Sequence, residues 1–211
     1  HISVQTEELV EEENFIINWE SDYKTQKYHW WPMREKNKDD PINNLYGKNG
    51  GLYKYDYLFN KKSVDYQKKH HYRSCDSQCE DALWAGFCNN ASILSCLYEY
   101  PRNSVIVYHN QKEMIFNPRD IECLMIVCSN NAVKKNISLF FGERNNEQYG
   151  DDEKEPYPLE FLSMLEILCK QNEPFIMDID NGEAVWNYPY DKVQVSKHDK
   201  CDIPHRHATV G

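Results

Sequence analysis

The chain has 211 residues, of which 40% are hydrophobic and 13% aromatic, a composition typical of a protein that folds around a core. Its 24 Lys and Arg against 34 Asp and Glu give a formal net charge of −10, which argues against a nucleic-acid partner because such partners are bound by clustered basic side chains. No stretch approaches the roughly eighteen apolar residues of a membrane-spanning helix, and the acidic start of the chain is unlike a signal or transit peptide.

The first two segments show little regular periodicity. Residues 1–28 are expected to form an acidic, partly helical arm. Residues 29–80 are expected to wrap onto a core, because residues 29–59 combine many turn residues with Trp and Tyr, and residues 60–80 are basic and polar. We expect residues 81–211 to form the folded core.

Helix and strand patterns follow one another in the remaining segment. Apolar residues at helical spacing predict a helix that begins at Cys88 and is stopped by Pro101. The later patterns predict strands in 104–110 and 113–116, helices from Pro118 and over 157–172, and strands over 174–180 and 183–196. This order predicts an α+β fold in which the helix carrying Cys88 packs on an antiparallel sheet.

Cys88 is distinguished from the other cysteines by its place at the predicted start of a helix. The helix dipole and the unsatisfied N–H groups at that end favour a thiolate and can donate to an oxyanion, as a nucleophile requires. Gly86 is expected to allow close approach of a substrate, and Trp84 and Asn89 are candidates for substrate and oxyanion contacts. The alternative is that Cys88 is a core residue or half of a disulfide.

A nucleophilic thiol also needs a base. Asp178 follows an apolar strand and is suited to orient a catalytic imidazole, whereas Asp180 suits a turn. His207, which precedes a short apolar run, is the preferred candidate base, with His205 beside it and His109 on a predicted strand. The terminal position of His207 is equally compatible with disorder.

The remaining cysteines bear on the cellular compartment and on metals. We favour a secreted or lumenal protein with disulfides, because Asn136 begins an acceptable glycosylation sequon; in a cytoplasmic protein most cysteines would be small buried side chains. The Cys75–Cys79 spacing lacks the second pair of a zinc site, so no metal site is predicted. His70 and His71 are expected on a solvated surface.

Several separate stretches resemble, in order, the motifs of the transglutaminase elicitor family, known from oomycete secreted transglutaminases and bacterial relatives. The similar stretches are HWWPMREKNKDDPIN, GGLYKYD, WAGFCNNASILSCLYEYP, MIFNPRDIECLM and PFIMDIDNGEAVWNYP. The Val-Trp-Asn of the last stretch is similar to the most diagnostic motif of the family. The resemblance covers most of the chain and implies a papain-like cysteine fold.

In activity, the resemblance implies a protein-glutamine γ-glutamyltransferase. The Cys88 thiol would attack a protein glutamine, release ammonia and form a thioester, which a lysine amine converts to an isopeptide cross-link and water to a deamidated product. The partners would be proteins that present Gln and Lys side chains. Some transglutaminases require calcium, for which the loose acidic cluster at 151–153 is a candidate.

The chain departs from the family pattern at points that bear on catalysis. An aromatic residue is missing after Cys88, and Phe161 stands where a later helix of the family has a histidine. The family also continues beyond the last motif, so the core is expected to be incomplete at its C-terminus. Either His205 or His207 substitutes as the base, or the base lies on a part that is not included. The alternatives are a catalytically inactive structural or interaction protein that docks through residues 29–59, and a cysteine protease.

Overall fold

A computed structural model describes residues 15–33, 45–71, 86–133, 156–178 and 186–196. The helices in these ranges are α1 (Gly51–Phe59), α2 (Ser63–His70), α3 (Cys88–Leu97), α4 (Pro118–Val133) and α5 (Pro158–Gln171). The strands are β1 (Phe15–Glu20), β2 (Val105–His109), β3 (Lys112–Phe116), β4 (Phe175–Met177), β5 (Tyr188–Tyr190) and β6 (Lys192–Ser196). The protein is therefore a mixed α+β protein, as the sequence predicts. Within the described ranges, no helix combines the length and the apolarity needed to cross a membrane.

The strands form three antiparallel pairs in place of one larger sheet: β1 with β6, β2 with β3, and β4 with β5. In the β4–β5 pair, Met177 lies opposite Tyr188. Because the strands are antiparallel, Asp178 and Asn187 are the next residues at the same end of this pair. That end of the sheet is where the candidate site lies.

Most elements predicted from Cys88 onward are confirmed. Helix α3 begins at Cys88 and ends before Pro101, and α4 has Pro118 at its first position. The turn between β2 and β3 consists of Asn110 and Gln111, both with positive φ (47 and 60). Two consecutive positive φ values give the backbone twist that a two-residue hairpin requires.

The elements before Cys88 differ from the sequence prediction. Residues 15–20, expected in a partly helical arm, form a strand in which Ile17 is buried and Trp19 half-buried between exposed neighbours. Alternation of buried and exposed residues is typical of a strand, and this strand pairs with β6. Residues 51–59 and 63–70, expected as a turn-rich segment and a connector, are the helices α1 and α2.

The main core lies where α1, α3 and α4 meet. Its buried members are Trp31, Leu45, Tyr46, Leu52, Phe87, Ala91, Leu94, Cys123, Ile126 and Val127. Trp31, Leu45, Tyr46 and Leu52 belong to residues 29–59, which the sequence predicts to wrap onto a core. These residues therefore form part of the core itself. Helices α1 and α4 approach closely at Gly51, where a Cβ atom would lie 2.5 Å from the carbonyl oxygen of Asp120. The contact therefore depends on glycine.

A smaller core joins β1, α5 and β4. Its buried members are Ile17, Leu165, Cys169 and Phe175. The spacing of apolar residues in α5 predicts a face made of Leu159, Leu162, Leu165 and Leu168. The last three contact this core, together with Phe161 and Cys169, whereas Leu159 is exposed. Phe161, which stands where the family pattern has a histidine, therefore packs against this core.

The Cys123 thiol makes the stability of the main core depend on pH. Burial, the largest cause, raises its pKa to about 12. The unfolded thiol has a pKa of about 8.5, so between about pH 8.5 and 12 the unfolded chain releases a proton that the folded protein keeps. We expect this group to lower the free energy of unfolding by about 1.4 kcal/mol per pH unit as the pH rises through that window, measured by urea unfolding.

Cys123→Ala is the matched variant for this prediction. It should be less stable than the wild type at pH 8, because it leaves a small cavity, but should lose stability less steeply above pH 8.5. Equal slopes for the two proteins would contradict the assignment of the alkaline loss to this thiol.

Candidate active site

Cys88 is the first residue of α3; it is half-buried and forms no disulfide. The preceding Phe87 anchors the start of the helix: its side chain is 1% exposed in the main core, and its N–H donates to the Trp30 carbonyl oxygen at 2.7 Å. Phe87 offers no side-chain cap to the helix. An apolar anchor thus fixes the helix start and leaves the next residue, Cys88, at the margin of the core.

The side chain of Asn187 lies against this thiol. Its Nδ2 is 3.8 Å from the Cys88 sulfur, and its carbonyl oxygen accepts a hydrogen bond from Ser92 Oγ at 2.6 Å. Asn187 is thereby held at both its side chain and its backbone by one helix, α3. A carboxamide N–H directed at sulfur can stabilise a thiolate, and a nearby oxyanion in the same way.

Asp178 lies one residue beyond β4, at the end of the β4–β5 pair that also carries Asn187. Its side chain is exposed. This candidate orienting acid, predicted on the strand itself, therefore follows the strand and shares the sheet end that meets Cys88.

An aromatic pair flanks the backbone that leads to Cys88. A Cβ atom at Gly86 would lie 2.1 Å from Cε3 of the Trp30 ring, and the Trp186 ring packs edge-on against Trp30 with centroids 5.5 Å apart. Gly86 is expected from the sequence to admit a substrate. In the structure, the space beside Gly86 holds the indole of Trp30.

A buried carboxylate fixes the segment that carries Trp30. Glu122 is fully buried and accepts hydrogen bonds from the His29 backbone N–H, from Arg119 at 2.6 Å and from the Tyr100 hydroxyl at 3.3 Å. Burial, the largest cause, raises the pKa of Glu122, and these hydrogen bonds oppose the shift. The cluster ties the chain before Trp30 to α4.

The other predicted site residues have different outcomes. Asn89 is half-buried in the first turn of α3, next to Cys88. Trp84, His205 and His207 lie outside the described residues. His109 is on β2, where its ring packs on the Phe59 ring with centroids 4.9 Å apart.

His71 occupies a place that the sequence does not indicate. It is expected on a solvated surface, but it is half-buried, and its ring packs edge-on against Phe87, with centroids 5.9 Å apart. Its Nε2 is 3.5 Å from Nδ2 of Asn130 on α4. The structure therefore brings a histidine against Phe87, the residue that precedes Cys88. The His70-His71 pair in the sequence does not indicate this contact.

Burial raises the pKa of three of the described thiols. It raises the pKa of Cys96 to about 11 and that of Cys123 to about 12, and it also raises the pKa of Cys169. Cys128 is exposed on α4. None of the five described cysteines forms a disulfide, and Cys75, Cys79 and Cys201 lie outside the described residues. The expected disulfides thus have no counterpart among the described cysteines.

Metal ligands are not grouped in the described part of the chain. No three or more His, Cys, Asp and Glu side chains there are placed to hold an ion. The acidic cluster at 151–153 lies outside that part.

Fold and site together define an α+β protein with a cysteine thiol at a helix N-terminus and a carboxamide facing it. Comparisons with protein-family models, with curated proteins and with solved structures each find no match to this chain.

Asn187, Ser92 and Trp30 are the site residues that sequence reasoning does not single out. Asn187 is part of the Val-Trp-Asn motif, and Trp30 is part of the HWWP stretch, so both belong to stretches that carry the family resemblance. Ser92 lies four residues after Cys88 and so shares its helix face. That spacing is the signal that could have identified it.

Proposed function

We propose that the protein is a transglutaminase-like cysteine acyltransferase with a papain-like domain, in which Cys88 forms a thioester with a protein glutamine. The observation that carries the proposal is the position of the Cys88 thiol at the N-terminus of α3, with the Asn187 carboxamide 3.8 Å from its sulfur. This is the pairing of a nucleophile with a preorganised donor that attack on an amide requires.

The positions of the resembling stretches give further support. Trp30, Gly86, Cys88, Trp186 and Asn187 come from three stretches that are far apart in sequence, and they are neighbours in the fold. Three of the five stretches that resemble the family therefore meet beside the start of α3. Such clustering is what a shared catalytic site would produce, whereas unrelated similarities need not meet at all.

In the proposed reaction, the Cys88 thiolate attacks the side-chain carbonyl carbon of glutamine, and the carbonyl electron pair moves to oxygen. The Asn187 carboxamide and the N–H groups of the first turn of α3 stabilise that oxyanion. The C–N bond then breaks, and the nitrogen leaves as ammonia after it takes the proton that the thiol gave to the base. His207 is the candidate base from the sequence, and Asp178 the candidate that orients it.

The thioester is resolved by a nucleophile. A lysine amine attacks its carbonyl carbon, forms an isopeptide bond and returns the sulfur as a thiol, while water gives glutamate. The same acyl-enzyme chemistry on a backbone amide would be proteolysis, so the products distinguish the two activities.

Product analysis tests this proposal. Incubation of the full chain with a glutamine-rich protein and a biotinylated primary amine should release ammonia and attach biotin, with the substrate backbone intact. Parallel reactions with calcium and with a chelator test the calcium requirement. A cut backbone without ammonia release would identify a protease and contradict the proposal.

A second candidate is an interaction protein without catalysis, and the β2–β3 hairpin favours it. Ile106 and Ile115 lie directly opposite each other and are both 51% exposed, with Tyr108 beside them. Exposed apolar side chains in a cluster are typical of a protein-docking surface.

In the segment 29–59, which the sequence suggests as the docking surface, Trp31, Leu45 and Tyr46 are buried, and Tyr53 and Tyr57 on α1 are exposed. The absence of both ammonia release and amine incorporation would support this candidate.

A further inference from the structure

One face of α3 carries a short polar side chain at every fourth residue: Cys88, Ser92 and Cys96. Residues at this spacing lie above one another on a helix. Ser92 donates to the Asn187 carbonyl oxygen, and the Cys96 sulfur is 3.9 Å from the carbonyl oxygen of Phe175 on β4. The helix thus contacts the β4–β5 pair through a line of short polar groups that begins at Cys88.

Ser92 makes the shortest of these contacts. Its side chain is 3% exposed, and the 2.6 Å between its hydroxyl oxygen and the Asn187 carbonyl oxygen is a strong hydrogen-bond distance. A buried carbonyl that loses its donor leaves an unsatisfied polar group, so its backbone tends to shift towards another donor. The backbone that would shift is that of Asn187, whose side chain faces the sulfur.

We propose that Ser92 is a positioning residue that holds the Asn187 carboxamide against the Cys88 sulfur. Helix α3 therefore carries both the nucleophile and the group that aims its donor, one turn apart. An effect of Ser92 on catalysis rests on the proposed function, but its effect on the contact between Asn187 and the Cys88 sulfur does not. It can be measured whether or not the chain transfers acyl groups.

Ser95 supplies a matched control on the same helix. It is also buried, at 2% exposure, and its hydroxyl likewise donates to a backbone carbonyl, that of Gln26. Ser95→Ala therefore removes the same kind of hydrogen bond at a similar depth without touching Asn187. A purely structural role for Ser92 predicts the same behaviour for the two alanine variants.

The test is the rate of Cys88 alkylation by iodoacetamide at pH 7, followed by peptide mass spectrometry on the full chain. The exposed Cys128 thiol serves as an internal standard. We expect Ser92→Ala and Asn187→Ala each to slow alkylation of Cys88 by about five- to tenfold, because a hydrogen bond to a charged sulfur is lost, and to move its pH profile upward. Ser95→Ala should leave the rate unchanged.

The double variant decides whether Ser92 acts through Asn187. With Asn187→Ala already present, Ser92→Ala should have no further effect on Cys88 alkylation. Rate effects of the two substitutions that multiply in the double variant, or equal rates for Ser92→Ala and Ser95→Ala, would overturn the proposal.

If Ser92→Ala does not fold, Ser92→Cys is the substitute variant, because a thiol is a weak donor. We expect its rate of Cys88 alkylation to lie between those of the wild type and Asn187→Ala; a wild-type rate would overturn the proposal. Where amine incorporation is present, Ser92→Ala should lower kcat and leave KM unchanged.

Discussion

Cys88→Ala is expected to abolish amine incorporation, lowering its rate by more than about a thousandfold, because the thioester cannot form without the sulfur. The fold should persist, since the side chain is half-buried at the margin of the main core and the neighbouring Phe87 anchors the helix start. The measurement is incorporation of a biotinylated amine at equal protein concentration, with circular dichroism to compare folding.

Cys128→Ala is the matched control for this variant. Cys128 is another cysteine on a helix, but it is exposed on α4. Its replacement should leave amine incorporation at the wild-type rate. Activity that survives in Cys88→Ala, or that disappears in Cys128→Ala, would place the nucleophile elsewhere.

If Cys88 transfers acyl groups as proposed, Asn187→Ala is expected to lower kcat by about a hundred- to a thousandfold with little change in KM, as loss of one oxyanion donor does in acyl-transfer enzymes. The carboxamide faces the sulfur at 3.8 Å, so it would act on charge that develops during the reaction more than on the bound substrate. Steady-state kinetics with a glutamine peptide and an amine measures both constants.

Asn187→Asp sharpens this prediction. A carboxylate has nearly the same shape but repels both a thiolate and an oxyanion, so it should be less active than Asn187→Ala. Asn18→Ala, at an exposed asparagine on β1, should behave as the wild type. Full activity in Asn187→Ala would remove the carboxamide from the mechanism.

The site could be predicted in part, because some of its features are local. The start of α3 at Cys88 follows from apolar spacing and its end from Pro101, and the β2–β3 turn follows from Asn110 and Gln111. These signals depend on residues within one or two turns of each other. They can therefore be recognised in the sequence without knowledge of distant contacts.

The approach of Asn187 to Cys88 depends on tertiary packing. The two residues are 99 positions apart, and what joins them is the docking of β5 on α3. Periodicity identifies each element but not which faces meet. The resemblance of the Val-Trp-Asn motif marks the right stretch without giving the role of its asparagine.

Helix α1 was missed for a related reason. It begins in a stretch of Asn and Gly that favours turns, and of its residues only Gly51, Leu52 and Leu58 are buried. The position of α1 is determined by contacts with α4. Gly51 packs directly against the Asp120 backbone, and Lys54 forms an ion pair with the Asp120 carboxylate at 2.5 Å. Those partners lie too far along the chain for a local pattern to reveal them.

The acyl-enzyme itself offers the most direct measurement. The protein would be mixed with a glutamine-containing peptide in the absence of an amine, quenched in acid and analysed by intact and peptide mass spectrometry. We predict an adduct with the mass of the peptide less one ammonia, located on Cys88 and removed by an added primary amine. Absence of the adduct from Cys88 under conditions in which ammonia is released, or its location on another residue, would contradict a thioester at this sulfur.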